Sequence, residues 1–282
     1  MANYLNLRSG PIMRIPTTTI LFVFWLLAGT LNPIVAAEEL VNDRGDERRA
    51  RTIHVPRDHA RIQKAIDSSR NGDTVLVAPG VYHEELRLQG KQITLASRFL
   101  TSRDRKDIQQ TVLDGVISRD GKTTRASAVI NVARDVRAGT RIIGFTIQNG
   151  GDGIICFARI EISNNRFINN SDAIDYEGGG GICRANVFEK NRDDAVDLDG
   201  ATAVVIEDNV MRDNRDDGIE IRLHKYSGKM LNILIRRNRI IGSGEDGIQI
   251  IDYPDRSSRI IRIEQNVIAR SKMAALGCMA NG

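Results

Sequence analysis

The stretch NRDDAVDLDGATAVVIEDNVMRDNRDDGIEI, from Asn191 to Ile221, says nearly the same thing twice: Asn-Arg-Asp-Asp, a small residue, then alternating apolar and acidic residues. Working outward, five segments stack on one asparagine: Ile162-Ser-Asn-Asn165-Arg-Phe167, Cys183-Arg-Ala-Asn186-Val-Phe188, Ile206-Glu-Asp-Asn209-Val-Met211, Ile235-Arg-Arg-Asn238-Arg-Ile240 and Ile263-Glu-Gln-Asn266-Val-Ile268. The asparagines lie 21, 23, 29 and 28 residues apart. Shortly after each of the first four comes a second signature, Asp172-Ala-Ile174, Asp194-Ala-Val196, Asp217-Gly-Ile219 and Asp246-Gly-Ile248. The fifth has Ala274-Ala-Leu276, and Asp152-Gly-Ile154 is an earlier, looser copy.

Period-2 strands this short cannot bury a face alone, so a unit of roughly 22 residues gains a core only by stacking on its neighbours. Stacked coils of parallel strands do this, with the asparagine column bonding rung to rung at a tight turn. The leucine spacing and helical periodicity of leucine-rich or ankyrin repeats are missing. Scarce aromatics (5%) and 25 glycines also fit an all-β chain of short strands and turns. The N-terminal part reads Thr52-Ile-His-Val-Pro, Ala60-Arg-Ile-Gln-Lys-Ala-Ile66, Asn71-Gly-Asp-Thr-Val-Leu-Val-Ala-Pro-Gly-Val-Tyr82 and Ile93-Thr-Leu-Ala96. Together these residues resemble the right-handed parallel β-helix of the pectin-lyase-like superfamily over roughly residues 52–282. The resemblance implies an all-β solenoid with a short N-terminal capping helix. It leaves activity open, because such folds host lyases, hydrolases, epimerases, esterases and inert fibres.

Residues 1–37 read as a signal peptide: Arg8 and Arg14 precede the apolar run Ile20–Ala28, and Val35-Ala-Ala37 offers a cleavage site. The run is too short for a membrane span, and Met13 is an alternative start. Residues 38–51 (EELVNDRGDERRAR) form a charged linker. The expectation is an exported, periplasmic or extracellular protein. Loss of the leader lowers the formal charge from +4 to +2, which points to neither nucleic acid nor an anionic membrane as partner. Cys156 and Cys278 fall in one inward column about five rungs apart, too far to bond, Cys183 falls in another, and the odd count without metal-type spacing reads as three buried thiols. After Asn266 one more strand begins and the sequence stops with no closing segment, so the C-terminal end reads as uncapped or truncated, or covered by another subunit.

If Val196 and Leu198 point inward, Asp197 and Asp199 point out. The same step places Asp175, Asp197, Glu220 and Gln249 in one outward column and Glu177, Asp199 and Arg222 in the next. Asp172, Asp194, Asp217 and Asp246 precede them at the turn. Carboxylates one rung, about 4.8 Å, apart repel by about 1 kcal/mol in water and about 3.5 kcal/mol at an effective dielectric near 20. Solvation, a Ca²⁺ ion held by Asp197, Asp199 and Glu220, or protonation of one member would relieve this. Basic residues near the same turns are a fourth remedy. Arg222, His224 and Lys225, with Tyr253 and Arg256 from the lengthened segment one coil later, are candidate substrate-binding residues on loops flanking a groove.

Asn170-Ser-Asp172-Ala and Asp193-Asp194-Ala-Val are similar to two motifs of polygalacturonase-type glycosidases. That likeness implies Asp194 as general acid, with Asp172 and Asp193 orienting water for inversion across a wide carboxylate gap. This chain departs from the pattern at Asp216-Asp217-Gly218, where the family has Gly-His-Gly, and at Gln249-Ile-Ile251, where it has Arg-Ile-Lys. Asp172, Asp193, Asp194 and Asp217 are the catalytic candidates of a lyase or glycosidase acting on a polysaccharide. The other reading is a non-catalytic carbohydrate-binding or surface scaffold protein using the same face. His54, His59 and His83 lack a neighbouring acid or serine constellation and read as structural, and Gly178–Gly181 as a flexible turn.

Overall fold

Apolar residues at every second position bury one side of each strand, and the glycines and asparagines between them turn the chain onto the next rung. The computed structural model describes residues 49–119, 121–222, 230–252 and 259–280. Among them, three wholly parallel sheets of nine, eight and eight strands run side by side, each strand pairing with its counterpart one coil away. One coil reads Gly180–Arg184, Val187–Glu189 and Val196–Asp199, one strand for each sheet; the next reads Ala203–Glu207, Val210–Arg212 and Ile219–Arg222. Register is exact along the stack. Ile162, Cys183, Ile206 and Ile235 form one fully buried column, and Phe167, Phe188, Met211 and Ile240 a second. Ile174, Val196, Ile219 and Ile248 form a third. The Phe167 and Phe188 rings stack with centroids 5.0 Å apart.

The coil bends where a single residue takes a left-handed conformation. Asn164, Ala185, Asp208, Arg237 and Gln265, with φ of 53–57°, each stand immediately before a ladder asparagine. Asn165 N–H donates to Asn186 Oδ1 (2.9 Å), Asn186 N–H to Asn209 Oδ1 (2.9 Å), Asn209 N–H to Asn238 Oδ1 (3.1 Å) and Asn238 N–H to Asn266 Oδ1 (2.9 Å). Each amide nitrogen bonds a carbonyl on the preceding coil, as Asn209 Nδ2 does to Cys183 O at 3.0 Å. Buried backbone groups are thus satisfied without water, as a dry turn requires.

The helix Ile62–Ser68 closes the first coil with Ile62, Ala65 and Ile66 buried. It has no local side-chain cap. Glu84 serves instead, accepting from Ile62 N–H (2.9 Å) and Gln63 N–H (3.2 Å). The short helices Phe99–Ser102 and Arg105–Gln110 lie outside the main core, with Phe99 in a small cluster with Ala96 and Ile143.

Two expectations need correction. Gly178–Gly181 is not a flexible turn: Gly180 opens a strand, and a Cβ on Gly181 would sit 2.1 Å from the carbonyl oxygen of Ile160, so glycine is required by close backbone approach. Cys156 and Cys183 are buried, but Cys278 is exposed, because its strand is the outermost of its sheet. An antiparallel hairpin, Val116–Arg119 with Lys122–Arg125, interrupts the early coils and has no repeat to betray it. The signal-peptide segment and nearly all of the linker lie outside the described residues. Among those described, no helix is long and apolar enough to cross a membrane.

Candidate functional site

At the entry to the third sheet, aspartates take over the role asparagines play elsewhere. Asp172 Oδ1 accepts from Asp194 N–H (3.0 Å), Asp194 Oδ1 from Asp217 N–H (2.6 Å), Asp217 Oδ1 from Asp246 N–H (2.6 Å) and Asp246 Oδ1 from Ala274 N–H (2.7 Å). An ionised carboxylate can accept this bond but has no donor to pass on, so the column stacks acids of like kind instead of alternating donors and acceptors.

The strands that follow carry the outward columns in the expected register: Asp175 opposite Asp197, Asp197 opposite Glu220, Glu220 opposite Gln249, and beside them Glu177, Asp199 and Arg222. Outward does not mean open. Asp197 and Glu220 keep 8% and 7% of their surface, and Asp194 and Asp217 are 5% and 1% exposed. Glu220 is paired with Arg222. One oxygen each of Asp175, Asp197 and Asp199 is buried with no hydrogen-bond partner. An unpartnered buried acceptor costs about 1–3 kcal/mol, so these three oxygens are the acceptors of the face that no protein donor reaches.

Burial dominates the protonation of the whole group. It pushes Asp194 up to about 9, with Asp172, Asp217 and Glu220 adding repulsion, and Asp197 up to about 9, with Asp199 and Glu220 adding to it. Asp175 rises to about 8 by burial and the charge of Glu177, and Asp217 to about 7 by burial and Asp246. Asp172 rises to about 7 by burial and Asp193. Asp193 rises to about 6 by burial and a hydrogen bond with the Asp216 carboxyl. Burial also raises Glu220, against the pull of Arg222. At neutral pH several of these groups carry their proton and can donate it.

The structure brings all four catalytic candidates together. One carboxylate oxygen from each of Asp172, Asp193 and Asp194 lies within 4.8 Å of the others, and the same holds for Asp194, Asp217 and Glu220. These two trios are the described groups close enough to share a cation. Glu220 therefore belongs with Asp194 and Asp217, while Asp197 and Asp199 join neither trio. The wide gap expected for inversion is not formed by Asp172, Asp193 and Asp194, since inverting carboxyls stand roughly 6.5–9.5 Å apart. Arg222 pairs with Glu220; His224, Lys225, Tyr253 and Arg256 lie outside the described residues.

Two features escaped the sequence reading. Asn170, Asn191 and Asn214 form a second amide ladder, with Asn170 N–H to Asn191 Oδ1 at 3.2 Å and Asn191 N–H to Asn214 Oδ1 at 3.1 Å. It stands directly before the aspartate turn and holds it in register. The Asn-Arg-Asp-Asp repetition was its signal. His59 also has a serine partner, Ser68 Oγ at 2.9 Å from Nε2, but that hydroxyl bonds Ala65 O in the capping helix and the pair lies far along the chain from the acidic face.

Fold and site together define a solenoid of parallel β-coils with a stacked carboxylate face. The family model described as right handed beta helix region matches residues 128–252 and again 157–282, together more than half of the chain, and the chain belongs to that family. No curated protein sequence matches it. Among solved structures, an alginate lyase from Paenibacillus sp. aligns over 82% of this chain and 98% of its own, at 13% identity and a TM-score of 0.47.

Proposed function

We propose that the acidic face binds an extended polysaccharide lying along the solenoid axis and cleaves it by acid–base chemistry. The carrying observation is the set of unpartnered oxygens on Asp175, Asp197 and Asp199, spread over two successive rungs of one face. A ligand that offers hydroxyl donors at a regular interval satisfies them, and a chain-like polymer does so along its length. Raised protonation of Asp175, Asp194 and Asp197 lowers the charge of the face, which suits a hydroxyl-rich chain and admits an acidic one if a cation such as Ca²⁺ bridges the trios.

For cleavage, Asp194 is the proton donor, held in its acid form by burial, and Asp193 is the partner whose lower value leaves it ionised at neutral pH. Export of the protein to meet such a polymer belongs to the same proposal. The second reading, a non-catalytic binder, draws on the backbone bonds that Asp172, Asp194 and Asp217 accept, which give these residues structural work of their own.

Asp194→Asn separates the two, since an asparagine oxygen still accepts from Asp217 N–H and leaves the turn intact. On a panel of neutral and acidic polysaccharides, with and without Ca²⁺, the cleavage reading expects wild-type turnover and at least a roughly 100-fold loss in the variant with retention in affinity gels unchanged. Retention without turnover by either protein leaves the binder. No retention of the wild type on any polymer rejects the proposal.

A further inference from the structure

A second charged site lies on a different sheet and owes nothing to the acidic face. Where the helix Arg105–Gln110 meets the turns Asn164–Arg166 and Ala185–Val187, a cavity of about 230 Å³ is lined by Arg105, Gln109, Asn164, Arg166 and Arg212 over an apolar floor that includes Ile108. Three guanidinium groups meet here, and no carboxylate is among the residues lining it.

Two of the arginines share one acid, the nearly buried Glu189. Arg166, one coil earlier, bonds its Oε1, and Arg212, one coil later, bonds its Oε2, with Nε at 2.8 Å. Burial pushes this carboxyl up, but the two arginines outweigh it and hold it below the usual range, so it stays ionised. Both of its oxygens are occupied, and its single charge cannot neutralise two arginines, let alone three. Arg105 has no hydrogen-bond or ion-pair partner among the described residues.

We infer that this cavity is an oxyanion-binding site, which takes the carboxylate, sulfate or phosphate group of a ligand. Each of Arg166 and Arg212 is oriented by its bond to Glu189, so the direction of its remaining N–H donors is set before a ligand arrives. A guanidinium presents five donors in a planar fork that matches such anions two bonds at a time. Arg105, on the helix, supplies the third cation, and the amides of Gln109 and Asn164 add donors. The volume admits one such group with its water, not a length of polymer, so a polymer would enter by a pendant group.

Calorimetric titration of the full chain with inorganic sulfate, inorganic phosphate, and a carboxylated and a sulfated oligosaccharide tests the inference, with chloride at matched ionic strength as control. Binding of at least one oxyanion is expected, weakened at least tenfold in Arg105→Ala, partly restored in Arg105→Lys, and unchanged in Asp194→Asn on the other face. An oligosaccharide that binds more tightly than the free ion identifies a pendant group as the ligand; equal affinity identifies the small anion. Absence of binding to all four, or the same affinity in wild type and Arg105→Ala, overturns it. Arg105 is exposed and outside the main core, so its loss leaves the coils folded; circular dichroism of the variant checks this.

Discussion

At the bend between the first and second sheets the stacked side chains are amides; at the entry to the third they are carboxylates, yet both accept a backbone N–H from a neighbouring coil. Asn186, Asn209 and Asn238 both receive and give, so every addition to that ladder is favourable and nothing is left over. Asp172, Asp194 and Asp217 only receive. Each coil adds a carboxyl beside the last, and burial together with its neighbours makes its ionisation costly. A solenoid that needed only a spacer would use asparagine twice, and this one does, in the second amide ladder one step before the aspartates. The carboxylate ladder is thus the turn where stability is surrendered, and this cost is what the proposed use of the face would explain.

The most severe way to break this contrast is at the centre of the amide ladder. Asn209→Ala leaves Asn186 N–H and the Cys183 carbonyl buried without partners, and should destabilise the protein by about 3–5 kcal/mol in urea unfolding. Putting the acid ladder's chemistry there, as Asn209→Asp, should be worse at pH 8 than at pH 5, because a buried charge is added only when ionised. The reverse exchange, Asp217→Asn, should stabilise by about 1–2 kcal/mol at pH 8 and change little at pH 4.

Stability against pH sharpens the same comparison. Carboxyls raised in the folded state favour folding while protonated. Their contribution is complete below the ordinary value of 3.8 and is lost as pH climbs, through about 7 for Asp217 and about 9 for Asp194. Urea midpoints should therefore decline from about pH 4 to pH 9, and Asp194→Asn should flatten the upper part of that decline; a midpoint that rises steadily over this range contradicts the burial of these acids. The smallest effect is reserved for the outermost strand. Cys278→Ser should shift stability by less than about 0.5 kcal/mol, whereas Cys183→Ser, in the closed core column, should cost about 1–3 kcal/mol.

Much of this was legible because a repeat states each structural fact several times. The asparagine column from Asn165 to Asn266 and the facing of Asp175, Asp197 and Glu220 follow from spacing and alternation, and the strand register agrees residue for residue. Alternation gives the direction of a side chain, not what lies over it, so the burial of Asp197 and Glu220 on an outward face was beyond its reach. The second amide ladder was hidden because its column passes from Asn214 to Ser243 and Ser271, breaking the chemical signature while keeping the place after the bend. Gly178–Gly181 misled for a related reason: the residue that frees a backbone in isolation is also the one that lets two backbones touch. The oxyanion cavity is assembled from Arg105 of a helix and Arg166 and Arg212 of separate coils, and no periodicity links them.

Because every strand of the three sheets binds only the coils immediately before and after it, the molecule behaves mechanically like a stack of rings sewn edge to edge. Tension applied across its ends would load these seams in series, and they would open one coil at a time, each releasing a length of thread set by its own coil, from 20 residues between Arg141 and Glu161 to 47 between Thr94 and Arg141. Its extension trace should be a sawtooth of unequal teeth, the longest from the coil that carries the antiparallel hairpin.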